Sequence, residues 1–347
     1  MSTRTSAPGT VGGSFRSELG GCTGNAEPGI SSLLDADVTT EDFYAFMPAH
    51  QYLFVPTRDM WPSTSVNART TPPTNPDGTR VMKRVPQKAK NRATEWQEVP
   101  MTVAEWLDKE RPVEQMTWAP GEPLIIENRL IDGGGWIQRD GVRCFNLYRP
   151  PKPVPENCGS PDPWLNHVRK VFPDCADHIV CWLAHRVQYP GEKINHALVL
   201  GGAQGIGKDT ILEPVKYAVG PWNFNEVTPK QMLGRFNGFV KSVILRVSEA
   251  RDLGDTDRFA FYDHLKAYTA APPDVLRCDE KNLREHNIPN VCGVIITTNH
   301  KADGIYLPED DRRHYVAWSD IWRPVSSPAR ANCRRRIEGV VSARSPQ

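Results

Sequence analysis

The sequence predicts an α/β fold in which a parallel sheet flanked by helices occupies residues 193–322. Three observations predict it. Apolar, strand-like runs lie at 196–200, 243–247 and 292–298, segments of helical periodicity separate them, and a glycine-rich loop connects the first run to a helix. Strands that alternate with helices are typical of a parallel sheet with helices on its faces.

The chain before this sheet is expected to be less regular. Residues 1–35 are rich in Gly, Ser and Thr, which predicts a disordered arm. Residues 36–155 are expected to be loop-rich with a small β unit. Within them, Gly133-Gly134-Gly135 predicts a tight turn and Arg139-Asp140-Gly141 predicts a second turn between two strand runs. Apolar residues at helical spacing over 156–192 predict a helical collar.

Composition narrows the function classes. A formal net charge of +1 provides no overall basic field, so contact with nucleic acid has to come from local patches. The eight cysteines include no Cys-x-x-Cys pair and are expected to be buried free thiols; the alternative, zinc on Cys158, Cys175, Cys181 and His185, fits no common finger spacing. Residues 323–347 form a basic tail that we expect to be disordered. No apolar run reaches the ~20 residues of a membrane span, which favours a soluble protein.

The most specific motif is Gly202-x-x-x-x-Gly207-Lys208, which follows the first strand directly. It has the spacing of a phosphate-binding P-loop, in which glycines let successive N–H groups face one anion. Lys208 would contact the β- and γ-phosphates, at the positive end of the next helix. We therefore expect ATP and Mg²⁺ as cofactors. The candidate nucleotide-binding residues are Gly202, Gly205, Ile206, Gly207, Lys208, Asp209 and Thr210.

One position departs from the P-loop pattern. Residue 209 is Asp, where the pattern has a Ser or Thr that binds the magnesium ion. Three explanations stay open: Asp209 holds the metal through water, Thr210 replaces the hydroxyl, or the loop is impaired. A chance glycine-rich turn is the non-functional alternative.

Two further candidates follow the later strands of the predicted sheet. Functional residues of open α/β sheets gather at the carboxyl ends of strands. Glu249 follows the second strand, where a carboxylate activates water or holds Mg²⁺, although a surface glutamate has the same pattern. Asn299 follows the third strand, where an amide can bond both water and a phosphate oxygen. Asp209, Thr210 and Glu249 are thus the candidate metal ligands.

Paired arginines, Arg312 and Arg313, follow acidic residues near the end of the predicted domain. They are either a solvated charge run or, in a ring ATPase, residues presented to the γ-phosphate of a neighbouring subunit. An arginine finger of that kind contributes roughly 10³–10⁵ in rate. The sequence does not distinguish Arg312 from Arg313 in this role.

Taken together, Gly-Ala-Gln-Gly-Ile-Gly-Lys, a strand ending in Glu249, Thr-Thr-Asn-His and Asp-Asp-Arg-Arg resemble the superfamily 3 helicase module of phage and plasmid primase-helicases, including the D5-like group. The resemblance implies a P-loop, AAA+-like ATPase that forms a ring, usually a hexamer, and moves along single-stranded DNA in the cytoplasm of a bacterial host. It implies a possible primase or polymerase partner. It also implies a DNA-contacting hairpin at 274–282, with Arg277 and Lys281 as candidate contacts. An exposed charged turn is the non-functional alternative for this segment.

Three hypotheses follow. The first is an ATP-driven DNA translocase of phage or plasmid replication. The second is a nucleotide-gated assembly or DNA-binding module with little turnover, which Asp209 favours. The third, a P-loop phosphotransferase, lacks an evident acceptor pocket, and Asn299 with the arginine pair argues against it.

Overall fold

A computed structural model describes residues 38–88, 94–153, 159–248, 254–281, 283–300, 307–308 and 310–321. The arm at 1–35 and the tail at 323–347, for which disorder is predicted, lie outside these residues. In the part of the chain that the structure describes, none of the helices combines the length and the apolar character that a membrane span requires.

The first region contains a four-stranded sheet and a separate hairpin. Its elements are β1 (Phe43–Phe46), β2 (Gln51–Phe54), β3 (Asp59–Trp61), α1 (Ser63–Arg69), β4 (Met82–Lys88), β5 (Thr94–Pro100), α2 (Val103–Glu110) and β6 (Pro112–Val113). The sheet has the order β3-β2-β1-β6, and β4 and β5 form a two-stranded sheet. Phe43, Tyr52 and Leu107 are fully buried between the sheet and α2. This region therefore has its own core and is more regular than the composition predicts.

A second β unit follows, with β7 (Gln115–Thr117), β8 (Ile125–Asp132) and β9 (Gly135–Asn146) in the order β7-β9-β8. The turn predicted at the triple glycine joins β8 to β9. The second predicted turn, at Arg139-Asp140-Gly141, is wrong, because β9 runs through it. Asn128 and Gly141 both adopt positive φ, and the Gly141 N–H donates to Asn128 Oδ1 at 2.8 Å. The register shift between Glu127 and Arg129 marks a β-bulge there, and a bulge uses the same residue types as a turn.

Two helices precede the main sheet, α3 (Asp162–Val171) and α4 (Ala176–Gln188). Val168, Val171, Ile179 and Leu183 are buried on their inner faces. These residues join the large core cluster that also contains the strands of the main sheet. The helices therefore pack directly against the domain that follows them.

The main sheet belongs to the last part of the chain. Its elements and their connections are β10 (Ala197–Gly202), α5 (Lys208–Val219), β11 (Phe224–Val227), α6 (Pro229–Met232), β12 (Ile244–Val247), α7 (Gly254–Thr269), β13 (Val275–Cys278), β14 (His286–Pro289), β15 (Gly293–Thr298) and β16 (His314–Ser319). The five strands have the order β11-β12-β15-β10-β16, and all neighbouring pairs are parallel. Every residue of β10 and β15 is buried, as expected for strands covered on both faces. The predicted α/β fold with a parallel sheet is confirmed.

The strands β13 and β14 form an antiparallel hairpin outside the main sheet. The hairpin contacts the second β unit, where Thr117 Oγ1 donates to the Asn287 carbonyl oxygen at 2.9 Å. The register of β10 and β16 defines the two ends of the main sheet. Gly202 pairs with Ser319 at the carboxyl ends of the strands, and Ala197 pairs with His314 at their amino ends.

Candidate nucleotide-binding site

The loop between β10 and α5 has a backbone that requires glycine. Gly202, Gly205 and Gly207 have φ of +140°, +77° and +105°. A Cβ on Gly202 would lie 2.7 Å from Ile206 Cδ1, and one on Gly207 would lie 2.5 Å from His167 Nε2. A side chain at Gly202 or Gly207 would collide with its surroundings, so these two positions require glycine. Glycine permits the tight course in which successive N–H groups of such a loop can face one anion.

Lys208 is the first residue of α5, and it is only 8% exposed. Its ammonium donates to the carbonyl oxygens of Gly202 at 2.6 Å and Ala203 at 3.1 Å, and to Asn299 Oδ1 at 2.8 Å. Burial lowers the pKa of Lys208, and the nearby Asp209 carboxylate opposes this shift. The ammonium thus lies inside the loop on three uncharged oxygens, which a phosphate oxygen can replace.

Asn299 directly follows β15, which is the neighbour of β10 in the sheet. Because the two strands are parallel, their carboxyl ends lie at the same end of the sheet. The 2.8 Å hydrogen bond from Lys208 to Asn299 connects the segments that follow the two strands. The adjacent Thr298 Oγ1 and His300 backbone form a local hydrogen-bonded turn. Glu249 lies outside the described residues, so its side chain has no described position. Val247, two residues before it, pairs with Ile296 near the same end of the sheet.

Asp209 and Thr210 lie on the first turn of α5. The Asp209 side chain is 80% exposed and forms an ion pair with Arg246 of β12. Arg246 is 15% exposed, and it also donates to Thr297 Oγ1 at 3.2 Å and faces Glu226 Oε2 at 3.6 Å. The carboxylate expected to assist the metal therefore has an arginine as its partner. Thr210 is exposed.

Sequence reasoning missed the contribution of α3 to this site. His167 Nε2 lies 3.1 Å from the Gly207 carbonyl oxygen, and Trp164 Nε1 donates to the Ile211 carbonyl at 3.0 Å. Both contacts hold the P-loop and the start of α5 against the helix. The signal that the sequence offers is the apolar periodicity over 156–192, because His167 lies directly beside the buried Val168.

Arg312 and Arg313 lie at the amino ends of the strands, whereas the P-loop lies at their carboxyl ends. The Ala197 N–H donates to the Arg313 carbonyl at 2.8 Å, and Ala197 begins β10. The five residue steps from Ala197 to Gly202, at about 3.3 Å each, span about 17 Å. The arginines border a crevice of about 330 Å³ with Tyr262 and Lys266. The sheet separates them from the P-loop of their own chain.

Arg277 and Lys281 belong to the hairpin of β13 and β14. The Arg277 side chain is 75% exposed and forms an ion pair with Glu285 across the hairpin, and Lys281 is exposed beyond the end of β13. Arg277 also borders a cavity of about 600 Å³ between the hairpin and the second β unit. Basic and acidic residues line this cavity together, including Arg284 and Glu114.

Comparison with known proteins supports the fold. The profile of a family of unknown function (DUF5906) matches residues 200–313, less than half of the chain. No curated protein matches the sequence. The apo structure of the NrS-1 C-terminal region (305–718) is similar with a TM-score of 0.58 at 18% identity, over 89% of this chain and 66% of that chain. The A form apo structure of the same region gives 0.55 at 18% identity, over 86% and 63%.

The chain therefore spans slightly less than two thirds of the length of the NrS-1 region that it resembles. At 18% identity this similarity shows a common fold and nothing about activity. A JCV helicase is similar over 46% of each chain, with a TM-score of 0.33 and 11% identity. That value is too low to support an argument.

Proposed function

We propose that the protein is an ATP-dependent DNA helicase or translocase module of the superfamily 3 type, acting in phage or plasmid replication. The observation that carries the proposal is the 2.8 Å hydrogen bond between Lys208 Nζ and Asn299 Oδ1. It joins the P-loop cation to a strand-end amide from the neighbouring strand. A phosphate-binding cation beside a polar side chain that can contact the same phosphate is what nucleotide hydrolysis needs.

ATP with Mg²⁺ is the proposed cofactor pair. The loop is compatible with a triphosphate, because Gly202, Gly205 and Gly207 have the positive φ that a phosphate-binding loop uses. Lys208 would compensate phosphate charge, and Asn299 would hydrogen-bond the γ-phosphate or the attacking water. The Mg²⁺ ligands are proposed among Asp209, Thr210 and Glu249. The bound metal supplies charge stabilisation at the phosphates.

A ring is proposed because the arginine pair is out of reach of its own P-loop. Arg312 and Arg313 lie at the opposite end of the sheet, about 17 Å along β10. One of them serves as the finger for a neighbouring subunit in a homo-oligomer, of six subunits by resemblance to the family. Single-stranded DNA is the proposed substrate of movement, with Arg277 and Lys281 as backbone contacts and a primase or polymerase as partner.

The test is ATP hydrolysis with and without single-stranded DNA, beside sizing with a non-hydrolysable analogue. We expect Lys208→Ala to lower the rate at least about 10²-fold, while Lys216→Ala, near the far end of the same helix, changes it little. Unchanged hydrolysis in Lys208→Ala contradicts the site. Mixing inactive Lys208→Ala chains with inactive Arg312→Ala or Arg313→Ala chains restores activity if the finger acts between subunits. No recovery in demonstrated mixed oligomers contradicts that arrangement.

A second candidate function is a nucleotide-gated assembly or DNA-binding module with little turnover. The ion pair of Asp209 with Arg246 favours it, because the residue at the usual position of the metal-binding hydroxyl is already paired. Oligomers that depend on nucleotide but show no sustained hydrolysis would support this candidate over the translocase.

A further inference from the structure

Three side chains with metal-binding atoms converge at the end of the β13–β14 hairpin where the connecting segment joins the two strands. Cys278 and His286 are cross-strand partners, and Glu280 follows Cys278 by two residues. Directly opposed residues of an antiparallel pair point to the same face, and so do residues two apart in an extended chain. The thiol, a carboxylate oxygen and an imidazole nitrogen all lie within 4.8 Å of one another.

The two ring nitrogens of His286 differ in their surroundings. His286 is 9% exposed, and its Nε2 is buried with no hydrogen-bond partner among the described residues. Its Nδ1 faces the Arg284 carbonyl oxygen at 3.3 Å. Histidine ligands of metals commonly donate one ring N–H to a carbonyl while the other nitrogen binds the metal. His286 has this arrangement, and Cys278 beside it is fully buried.

The side chain of Glu280 reaches the cluster by packing against the backbone of Gly238. A Cβ on Gly238 would lie 2.8 Å from both Cγ and Oε1 of Glu280, so the bare backbone makes room for the carboxylate. Glu280 Oε2 lies 3.9 Å from Cys278 Sγ and forms an ion pair with Lys241. A cation in the cluster therefore competes with the Lys241 ammonium for this carboxylate, or shares it through the second oxygen.

We propose that Cys278, Glu280 and His286 bind a zinc-class divalent cation. Thiolate, imidazole and carboxylate are the ligands of Zn²⁺, with bonds of about 2.0–2.3 Å and ligand atoms therefore about 3.3–3.7 Å apart. The distances between the three ligand atoms have to shorten by about 1 Å, and a water molecule supplies the fourth ligand. The cation joins β13 to β14 and holds the connecting segment that carries Lys281 and Arg284. The proposal stands apart from the nucleotide site.

The experiment uses the full chain without a histidine tag. The metal content of the purified protein is measured, and Co²⁺ is titrated into metal-free protein. We expect about one zinc per chain and a thiolate-to-cobalt charge-transfer absorption. Cys278→Ser should lose the absorption and weaken binding at least about tenfold. The control is Cys144→Ser, because Cys144 is an equally buried thiol on β9 that does not belong to the cluster. It should bind as the unaltered chain does.

Unaltered protein that binds no Zn²⁺ and shows no cobalt–thiolate absorption overturns the proposal. So does binding that persists in Cys278→Ser, or that is lost equally in Cys144→Ser. If Cys278→Ser fails to fold, Glu280→Gln takes its place, since its side chain is half-buried and keeps its shape. In that case weaker Zn²⁺ binding, together with a lower melting temperature of the unaltered chain after chelation, supports the site. Unchanged values of both contradict it.

Discussion

The substitution Gly207→Ala tests the P-loop geometry more directly than removal of the lysine does. Gly207 has φ of +105° and ψ of 20°, a conformation that L-residues rarely adopt. In addition, a Cβ there would lie 2.5 Å from His167 Nε2 and 2.6 Å from Cε1. The substitution thus combines backbone strain with a steric collision, and each contribution can be measured separately.

The expected magnitude follows from these two contributions. A residue held in a sparsely populated conformation costs about 1–3 kcal/mol, and overpacking costs about 1–3 kcal/mol. Gly207→Ala should therefore lower the free energy of unfolding by about 2–6 kcal/mol. Removing the imidazole as well, in a Gly207→Ala, His167→Ala double variant, should recover the steric part and leave the strain.

Two other glycines provide matched controls for the urea unfolding assay. Gly141 has φ of +78° with nothing near an added Cβ, so Gly141→Ala should show strain alone, about 1–2 kcal/mol. Gly133 has open space and no positive φ, so Gly133→Ala should stay within about 0.5 kcal/mol. A fluorescent ATP analogue should bind Gly207→Ala about tenfold more weakly or worse. The reasoning is refuted if Gly207→Ala is no more destabilising than Gly133→Ala.

Three further predictions follow from individual contacts. Asp209→Ser supplies the hydroxyl that the P-loop pattern expects and releases Arg246, so the Mg²⁺-dependent part of the nucleotide affinity should rise several-fold. Loss of the exposed ion pair should lower the free energy of unfolding by about 1 kcal/mol or less. His178 Nε2 and His196 Nε2 lie 3.1 Å apart, and burial lowers the pKa of both, so stability should be complete above about pH 6.5 and fall as the pH drops below it. Asn146→Ala removes four hydrogen bonds of 2.8–3.0 Å to the backbone, three of them buried, and should cost about 2–4 kcal/mol.

Each of these has a control or a contradicting result. Asp177 occupies the first turn of α4 as Asp209 does that of α5, so Asp177→Ser should leave the effect of Mg²⁺ on nucleotide binding unchanged. His196→Phe should flatten the decrease in the urea midpoint between about pH 7.5 and pH 5.5, and an unaltered slope argues against the histidine pair. Asn225→Ala breaks one half-buried side-chain bond and should cost clearly less than Asn146→Ala; equal losses would contradict the argument from four bonds.

The parallel sheet was predictable because its central strands are buried throughout. Apolar runs such as those of β10 and β15 leave few alternatives when a glycine loop and helical patterns separate them. The first sheet was not predictable in the same way. Its strands have two to four residues, and β1 pairs with the distant β6, so the partner and the register depend on tertiary packing rather than on local pattern.

The same distinction between local pattern and tertiary packing applies to the candidate site. That Lys208 and Asn299 should approach each other followed from parallel strands ending at one end of the sheet, although their roles in hydrolysis stay predictions. The contact of Arg246 with Asp209 was not predictable, because a long side chain inside a strand reaches in a direction that sequence does not give. The pairing of Cys278 with His286 likewise depends on the register of a hairpin whose connection is several residues long.

The positions of the charged residues bear on how the two proposed functions can be separated. Within one chain, Lys208 lies in the P-loop and Arg246 forms an ion pair with Asp209. Arg312 and Arg313 lie at the other end of the sheet, beside the amino end of β10. If the arginine pair completes a neighbouring site, an isolated chain lacks the cation that contributes most to the rate. Slow hydrolysis by dilute protein is then expected of a translocase as well as of a nucleotide-gated module. Only the hydrolysis rate of the assembled oligomer distinguishes them.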